Sequence, residues 1–327
     1  MDVRNNRLSK ACKHLIYHCG GLKPYESVLV LHDEGAYDFA ALIAGHIETS
    51  NNKVNFKAVR QSNIHGEQVS DEVECAMVAA DLIICHTKFS LAHTDARLNA
   101  SINGARFLSL PDYSVELLLH EAMGVDFYRI GKKTKILTKL FDTAKVIEVS
   151  TENGTRLVSC IEDRHGNNCP GYVDEPGSLG SPPDAEVNIA PLEGTSNGVI
   201  VVDGSIAHPL IGLLDEKVQL EIKNGLIVDI QGDRKTIGVL ESIFKSVDSN
   251  KTKVLAEIGF GFNPMAQLSG VMLLDEGTSK TVHFGFGSNV TIGGLNKVPF
   301  HLDFVCREPN ITLDGKSVMQ KGELNAI

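Results

Sequence analysis

The stretch Lys253–Val–Leu–Ala–Glu257–Ile–Gly–Phe–Gly–Phe–Asn263 sets a single carboxylate inside an otherwise apolar, β-prone run. Two runs of the same make follow it, Thr281–Val–His283–Phe–Gly–Phe–Gly287 and Val298–Pro–Phe–His301–Leu–Asp303–Phe–Val305. Each reads as a strand interrupted by metal-ligand side chains, which a solvated surface does not need. Successive strand residues alternate faces, so His301 and Asp303, two apart, point the same way and can grip one ion together. A buried, unpaired Glu257 would cost several kcal/mol, so something positive must compensate it: a metal ion, or a Lys or Arg in a salt bridge. A lone His283 on a strand is ordinarily a satisfied core residue. With His301 and Asp303 beside it, three neighbouring strands supply the carboxylates and imidazoles that a metal centre requires. The region reads as a metal site.

Around these runs, everything from about Lys145 onward consists of short strands and polar turns. Ala144–Val149, Arg156–Ile161, Gly198–Asp203, Gln219–Lys223 and Leu226–Ile230 are strand-like, and Glu152–Asn–Gly154 and Lys223–Asn–Gly225 are hairpin signals. The stretch Asp163–Gly180 has loop chemistry, and one helix is expected near Lys235–Ser249. The first ~145 residues alternate strand and helix instead. Ser27–Leu31, Lys53–Arg60, Asp81–His86 and Ala105–Leu110 are the strands; Tyr37–Ile47, Asp71–Ala80, Ala92–Asn103 and Ser114–Met123 are the helices. Such repetition implies a parallel sheet with right-handed crossovers. The expected fold is therefore α/β: an N-terminal parallel-sheet domain over residues 1–145, then a β-rich α+β metal-binding domain over residues 146–327.

The chain has 327 residues, room for two cored domains at roughly 150 residues each. Its formal charge of −10 and pI near 5.6 argue against a nucleic-acid or anionic-membrane surface. Seven scattered cysteines without a Cys-x-x-Cys pair suit a reducing compartment. The polar start runs into Leu8, Cys12, Leu15, Ile16 and Cys19 at helical spacing rather than into a signal-peptide core, and no apolar run approaches the ~20 residues of a membrane helix. A cytoplasmic protein is expected.

Other constellations carry less. The first strand–helix turn has no dinucleotide fingerprint or phosphate loop, and Gly259-x-Gly261 and Gly285-x-Gly287 lack the helix-opening Lys-Ser/Thr of one. These glycines read as allowing close backbone approach in crowded strands. There is no Gly-x-Ser-x-Gly elbow, and Cys160 and Cys306 lie in apolar contexts that do not activate a thiol. His32–Asp33, at a strand's carboxyl end, could reach a ligand, and His86, His93 and Arg97 could frame a pocket; helix-start roles explain their neighbours equally well. Glu186, taken alone, reads as a strand-edge charge.

Glu186 gains weight from a resemblance. Pro183–Asp–Ala–Glu186–Val–Asn–Ile–Ala–Pro–Leu–Glu193–Gly, then Ala256–Glu257-x-Gly-x-Gly-x-Asn–Pro264, Val282–His283-x-Gly-x-Gly287, His301–Leu–Asp303 and Ile311–Thr–Leu–Asp–Gly315, resemble in order the metal-binding domain of the thermophilic-type metallo-aminopeptidases, the aminopeptidase T and S group. Ala80–Ile84, Ser90–Thr94 and Asn103–Arg106 extend the likeness to the first half. The resemblance implies a homodimeric hydrolase that releases amino-terminal residues from peptides. Its divalent centre, one or two ions of zinc, cobalt or manganese, would be held by Glu186, Glu257, His283, His301 and Asp303, with Glu186 and Glu257 catalytic. Such a pair of ions polarises a scissile carbonyl and activates a hydroxide. One departure stands out: the tyrosine expected seven residues beyond the Val-His histidine is Val290.

A rival resemblance is to dihydroxypyridine dioxygenase, through Gly293–Gly294 and His301–Leu–Asp303. It implies a ring-opening enzyme with one Fe(II) on two histidines and one aspartate, and a histidine where this chain has Glu257. The retained glutamate, with His283 and Glu186, favours the hydrolase. A third reading is a structural metal or salt-bridge cluster in a binding protein; five candidate ligands exceed what a closed structural site needs.

Overall fold

The computed structural model of the protein describes residues 3–47, 52–61 and 65–325. Met1 and Asp2, at the polar start, lie outside them. The chain forms two compact units, residues 1–128 with 171–183, and residues 129–170 with 184–327.

The first unit holds a five-stranded sheet in the order Lys53–Ala58, Ser27–His32, Leu82–His86, Arg106–Ser109, Leu179–Gly180. Every pairing in it is parallel. Its central strands are buried on both faces, as their unbroken apolar runs require. The helices Tyr37–Ala44, Asp71–Val78 and Asp95–Ile102 supply the crossovers. The last begins later than the apolar pattern suggested because Thr94 caps it, its hydroxyl accepting from the Arg97 amide. The helix expected over Ser114–Met123 runs only from Val115 to Leu118, and a 3₁₀ turn at Glu121–Gly124, capped by His120, follows it.

The second unit packs two antiparallel sheets against one another. One has eight strands and carries the Asn224–Gly225 hairpin, whose central residues both take positive φ (49° and 73°), as a primed two-residue turn demands. The other has seven strands: Gly212–Leu213, Ser205–Ile206, His301–Arg307, Thr281–Gly287, Leu255–Gly261, Glu186–Ile189 and Asn167–Cys169, in that spatial order. Leu157, Ile200 and Leu220 from the first sheet meet Val187, Ile258, Phe260, Phe284, Phe286 and Phe304 from the second in one core. The helix Arg234–Lys245 adds Leu240, Ile243 and Phe244 to it.

The fold is thus α/β with a parallel-sheet unit followed by a β-rich unit. The division differs from the expected 145/146 boundary in two ways. The helix Phe127–Phe141 adds to the expected elements, with Phe127, Ile130, Thr134, Leu137 and Phe141 spaced three and four apart; Leu137 and Phe141 end in the core of the second unit. The stretch read as a loop, Asp163–Gly180, contains two short strands that serve different sheets: Asn167–Cys169 pairs with Glu186–Ile189, and Leu179–Gly180 returns to the parallel sheet. Two-residue and three-residue strands are too short to show a period. Among the described residues no helix is long and apolar enough to cross a membrane.

Phe141 is fully buried with its ring 6.0 Å from that of Phe260, whereas Ile136 on the same helix is 43% exposed. Phe141→Ala should therefore destabilise the protein by about 3–5 kcal/mol. Ile136→Ala should cost under about 1 kcal/mol, and urea midpoints of the two variants compare them.

Candidate metal centre

Four neighbouring strands of the seven-stranded sheet carry the five acidic and imidazole residues singled out in the sequence, and all five project from one face. Opposite faces sort by chemistry: Val187, Ile258, Phe260, Val282, Phe284, Phe286, Leu302 and Phe304 enter the core. Glu257 reaches the polar face only because the strand is irregular. Leu255 pairs with Phe286 and Glu257 with Gly285, so Ala256 is an extra residue. Without that bulge Glu257 would share the core face with Leu255.

Glycine lies opposite every one of these residues. Gly285 sits between Glu257 and Asp303, Gly259 opposite His283, Gly261 opposite Glu186 and Gly287 opposite His301. A Cβ at Gly259 would lie 1.9 Å from His283 Nε2, and one at Gly285 would lie 2.8 Å from both Asp303 Oδ1 and His301 Nε2. At Gly261 and Gly287 it would strike backbone carbonyls instead, those of Thr278 and Phe300. Two of the four glycines therefore permit close backbone approach, as expected, and two keep open the space in which ligand atoms meet.

His283 Nε2 lies 2.9 Å from Glu186 Oε2 and 3.7 Å from Glu257 Oε1, and His301 Nε2 lies 3.3 Å from Glu257 Oε2 and 3.2 Å from Asp303 Oδ1. The donor atoms form two groups that share Glu257: Glu186, Glu257 and His283, and Glu257, His301 and Asp303, each with its atoms within 4.8 Å of one another. Burial alone would lower both imidazole pKa values; the carboxylates reverse that and hold His283 and His301 well above the ordinary histidine range. Conversely, burial pushes Glu257 upward, but hydrogen bonds from His283 and His301 outweigh it and hold its carboxyl far below the usual range. Asp303 is depressed in the same way by His301.

A divalent ion fits the second group. Separations of 3.2 and 3.3 Å between its donors suit bonds of ~2.0–2.2 Å converging on one centre. His301 Nδ1 lies 3.1 Å from the Ser288 carbonyl, so Nδ1 carries the proton and Nε2 presents its lone pair once an ion replaces the second proton. The room above Gly285 is space that any Cβ would fill.

Sequence reasoning missed two further acids. Asp184 is buried, and burial followed by the Glu186 charge pushes its carboxyl well above the usual range. Glu276 is raised in the same way, by burial and then by Asp303. Asp184 was legible in principle, two residues before Glu186 and just outside its strand; Glu276 follows the short helix Met272–Asp275, where no pattern points to it. The first-unit candidates have local partners. His86 sets its ring nitrogens against the carbonyls of Ala36 (3.2 Å) and Tyr113 (2.8 Å), Arg97 Nε donates to Ala92, and Asp33 accepts from the Lys88 amide.

A buried carboxylate–imidazole centre on one sheet of a β-rich unit, joined to a parallel-sheet unit, defines a two-unit scaffold shared by known enzymes. The profile of the 2,5-dihydroxypyridine 5,6-dioxygenase family matches residues 10–326, and the chain belongs to that family. A 2,5-dihydroxypyridine 5,6-dioxygenase of Pseudomonas putida is 31% identical over 166 residues, 48% of this chain and 47% of the relative, so the alignment spans about half of the curated relative. The solved 2,5-dihydroxypyridine dioxygenase of Pseudomonas putida KT2440 superposes with a TM-score of 0.84 at 22% identity, covering 100% of this chain and 99% of that one. Wild-type AmpT from Thermus thermophilus superposes with a TM-score of 0.69 at 15% identity, covering 98% and 100%. At such identities the two structures show a common fold.

These findings overturn the expected metallo-aminopeptidase-like hydrolase. The family match and the curated relative both point to a dioxygenase, and the aminopeptidase likeness is one of scaffold. The reason is physical: strands that present carboxylates and imidazoles over glycines serve any divalent-ion chemistry, so the motifs around Glu257, His283 and His301 report the scaffold before the reaction. Val290, where the peptidase pattern has a tyrosine, lies in a 3₁₀ turn and is 36% exposed.

Gly285→Ala should push His301, Asp303 and Glu257 apart and lower divalent-ion affinity by about tenfold or more. Gly238→Ala, in open space on a helix, should leave it unchanged. Calorimetric titration with Mn(II) distinguishes the two.

Proposed function

We propose that the chain is a ring-opening dioxygenase acting on a dihydroxylated nitrogen heteroaromatic, with one Fe(II) held by Glu257, His301 and Asp303. The observation that carries the reading is the coincidence of family membership over residues 10–326 with a group of three donors, Glu257 and Asp303 buried and His301 half-buried, on two strands and a bulge. The ligand set differs from the two-histidine, one-carboxylate triad that the dioxygenase resemblance implies: Glu257 replaces a neutral imidazole with a carboxylate. Two carboxylates make the site harder and neutralise a divalent ion fully, which stabilises the oxidised over the reduced ion relative to the two-histidine set.

A ferrous ion bound there supplies the one-electron chemistry with molecular oxygen that no side chain possesses. The chain's own groups divide the remaining work. Glu186 Oε2, 2.9 Å from His283 Nε2, is placed to accept a proton from a ring hydroxyl, with His283 sharing it. Glu257 joins the two groups, with one oxygen toward His283 and the other toward His301. Burial of Glu186, Glu257, His283 and Asp303, none more than 7% exposed, excludes bulk water from the reacting region.

Oxygen uptake by the ferrous protein with 2,5-dihydroxypyridine, matched by loss of the ring's ultraviolet absorbance, tests the reading. His301→Ala and Asp303→Ala should abolish both uptake and stoichiometric iron. Glu257→His should retain iron and activity. Uptake that persists in His301→Ala, or peptide cleavage by the wild type with no oxygen uptake, would overturn the assignment.

A pH dependence follows from the imidazoles. The His283 and His301 pKa values are raised above the ordinary 6.5 in the ion-free protein, so the stability they contribute is complete below that value and is lost as pH rises through the folded values. A bound ion replaces the His301 proton and removes that part of the loss. The melting-temperature difference between ion-loaded and ion-free protein should therefore widen as pH rises above about 6.5, and a difference that narrows would contradict this assignment of charge.

A further inference from the structure

His301 is the least enclosed of the five ligand-type residues, its side chain 19% exposed against 2% for His283 and 7% for Glu257. Packing alone therefore does not fix its ring. The 3.1 Å contact between Nδ1 and the Ser288 carbonyl supplies the second hold. Ser288 lies outside the strands, in the loop 288–300 that joins Thr281–Gly287 to His301–Arg307. The orientation of the ring thus depends on what holds that loop.

Two asparagines hold it from within. Asn289, fully buried, accepts at Oδ1 from the Asn296 amide (2.8 Å), and Asn296 Nδ2 donates to the carbonyls of Gly287 (2.6 Å) and Lys251 (2.9 Å). The Gly293–Gly294 pair makes this possible. Gly293 takes a positive φ of 94° at the end of the 3₁₀ turn Val290–Ile292, and Gly294 leaves bare backbone where a Cβ would lie 2.0 Å from Asn289 Cγ.

One carboxylate reaches the loop from outside it. Glu193, in the turn Leu192–Thr195 beyond the strand Glu186–Ile189, receives Asn289 Nδ2 (2.9 Å) and the Leu295 amide (2.7 Å) on Oε1. Its Oε2 receives Arg164 Nη2 at 2.6 Å, and Arg164 Nη1 donates to the Gly293 carbonyl. Burial would raise the Glu193 carboxyl; hydrogen bonds from the Leu295 amide and Asn289, with the Arg164 charge, outweigh it and hold the group below the usual range. A simple ion pair with Arg164 would need neither Asn289 nor Leu295, which lie 96 and 102 residues further along the chain.

We infer that Glu193 is a positioning residue for the metal centre: through Asn289 it keeps the Ser288 carbonyl where it accepts from His301 Nδ1, so that Nε2 faces the ion. The inference rests on the assignment of the ion to Glu257, His301 and Asp303, and not on the ring-opening reaction. Glu193 itself touches neither ion nor substrate. Without its grip the loop moves, the imidazole turns, and the loss falls on ion binding.

Titration calorimetry with Mn(II) on the full-length wild type, Glu193→Ala, Asn289→Ala and the double variant tests this. Each single substitution should raise the dissociation constant about tenfold, as loss of an outer partner of a ligating histidine does. The double variant should also stand about tenfold above the wild type, because both substitutions break one path. Glu193→Gln keeps an oxygen for both donors while giving up the charge facing Arg164, and it should recover most of the affinity. The visible absorption bands of the Co(II)-saturated protein should shift in Glu193→Ala, since one ligand has turned. A substitution that only loosened the fold would lower the melting temperature and leave those bands in place. Unchanged Mn(II) binding in both single variants would overturn the inference. So would single effects that multiply to about a hundredfold in the double variant, a Glu193→Gln loss as large as that of Glu193→Ala, or Co(II) bands identical to those of the wild type. A wild type that binds no Mn(II) would overturn the metal assignment and this inference with it, a result distinct from binding that the variants leave unchanged.

Discussion

Carboxylates and imidazoles can be buried side by side only when each charge faces its opposite and nothing else occupies the space between them. In this protein that condition is met on one face of one antiparallel sheet. Glu257 holds two imidazoles at 3.3 and 3.7 Å through its separate oxygens, and Gly285, directly between Glu257 and Asp303, leaves the floor bare. Remove the glycine, and the ligand atoms part; remove the bulge at Ala256, and Glu257 turns toward phenylalanines. The aromatic core beneath the sheet fixes the strands, and the strands fix the ligands.

The same arrangement explains why the scaffold serves more than one reaction. A floor of glycines with carboxylates and histidines at its rim specifies a divalent cation in a dry pocket, whatever the cation then does. Chemistry is decided by what surrounds that floor: which residue stands at 257, whether a phenol approaches from the turn near 290, and which acids are buried beside Glu186. Here the residues are a glutamate, an exposed valine, and two buried carboxyls that an unpatterned segment and a strand entry bring in. Family membership over residues 10–326 places the chain with the 2,5-dihydroxypyridine 5,6-dioxygenases and is the ground of the proposed oxygenase reading.

The surroundings of the centre also differ from the strand ends of the first unit in how polar groups are satisfied. At those strand ends polar residues are tied locally, His86 to two carbonyls and Asp33 to a backbone amide. In the second unit, several buried polar atoms around the centre have no partner, among them His283 Nδ1, Asn188 Oδ1, Asp184 Oδ1 and Glu276 Oε1. Unsatisfied buried groups are costly, and their concentration in one place marks where ligands belong.

By itself the sequence determined the two textures of the chain, the parallel first sheet, the antiparallel second half, and five ligand-type residues, because period-two and period-3.6 patterns and charges amid apolar runs are local properties. The helix Phe127–Phe141 is written there too, in apolar residues three and four apart. Only the tertiary structure decided the rest. Register sets glycine against each ligand, and a one-residue bulge flips Glu257 to the polar face, and neither has a signature within its own strand, since both are relations between strands. The same holds for Glu276 and for the two short strands of 163–180, which acquire their places from partners distant in sequence. Local order is written residue by residue; the meeting of side chains is settled by which strands the core packs together.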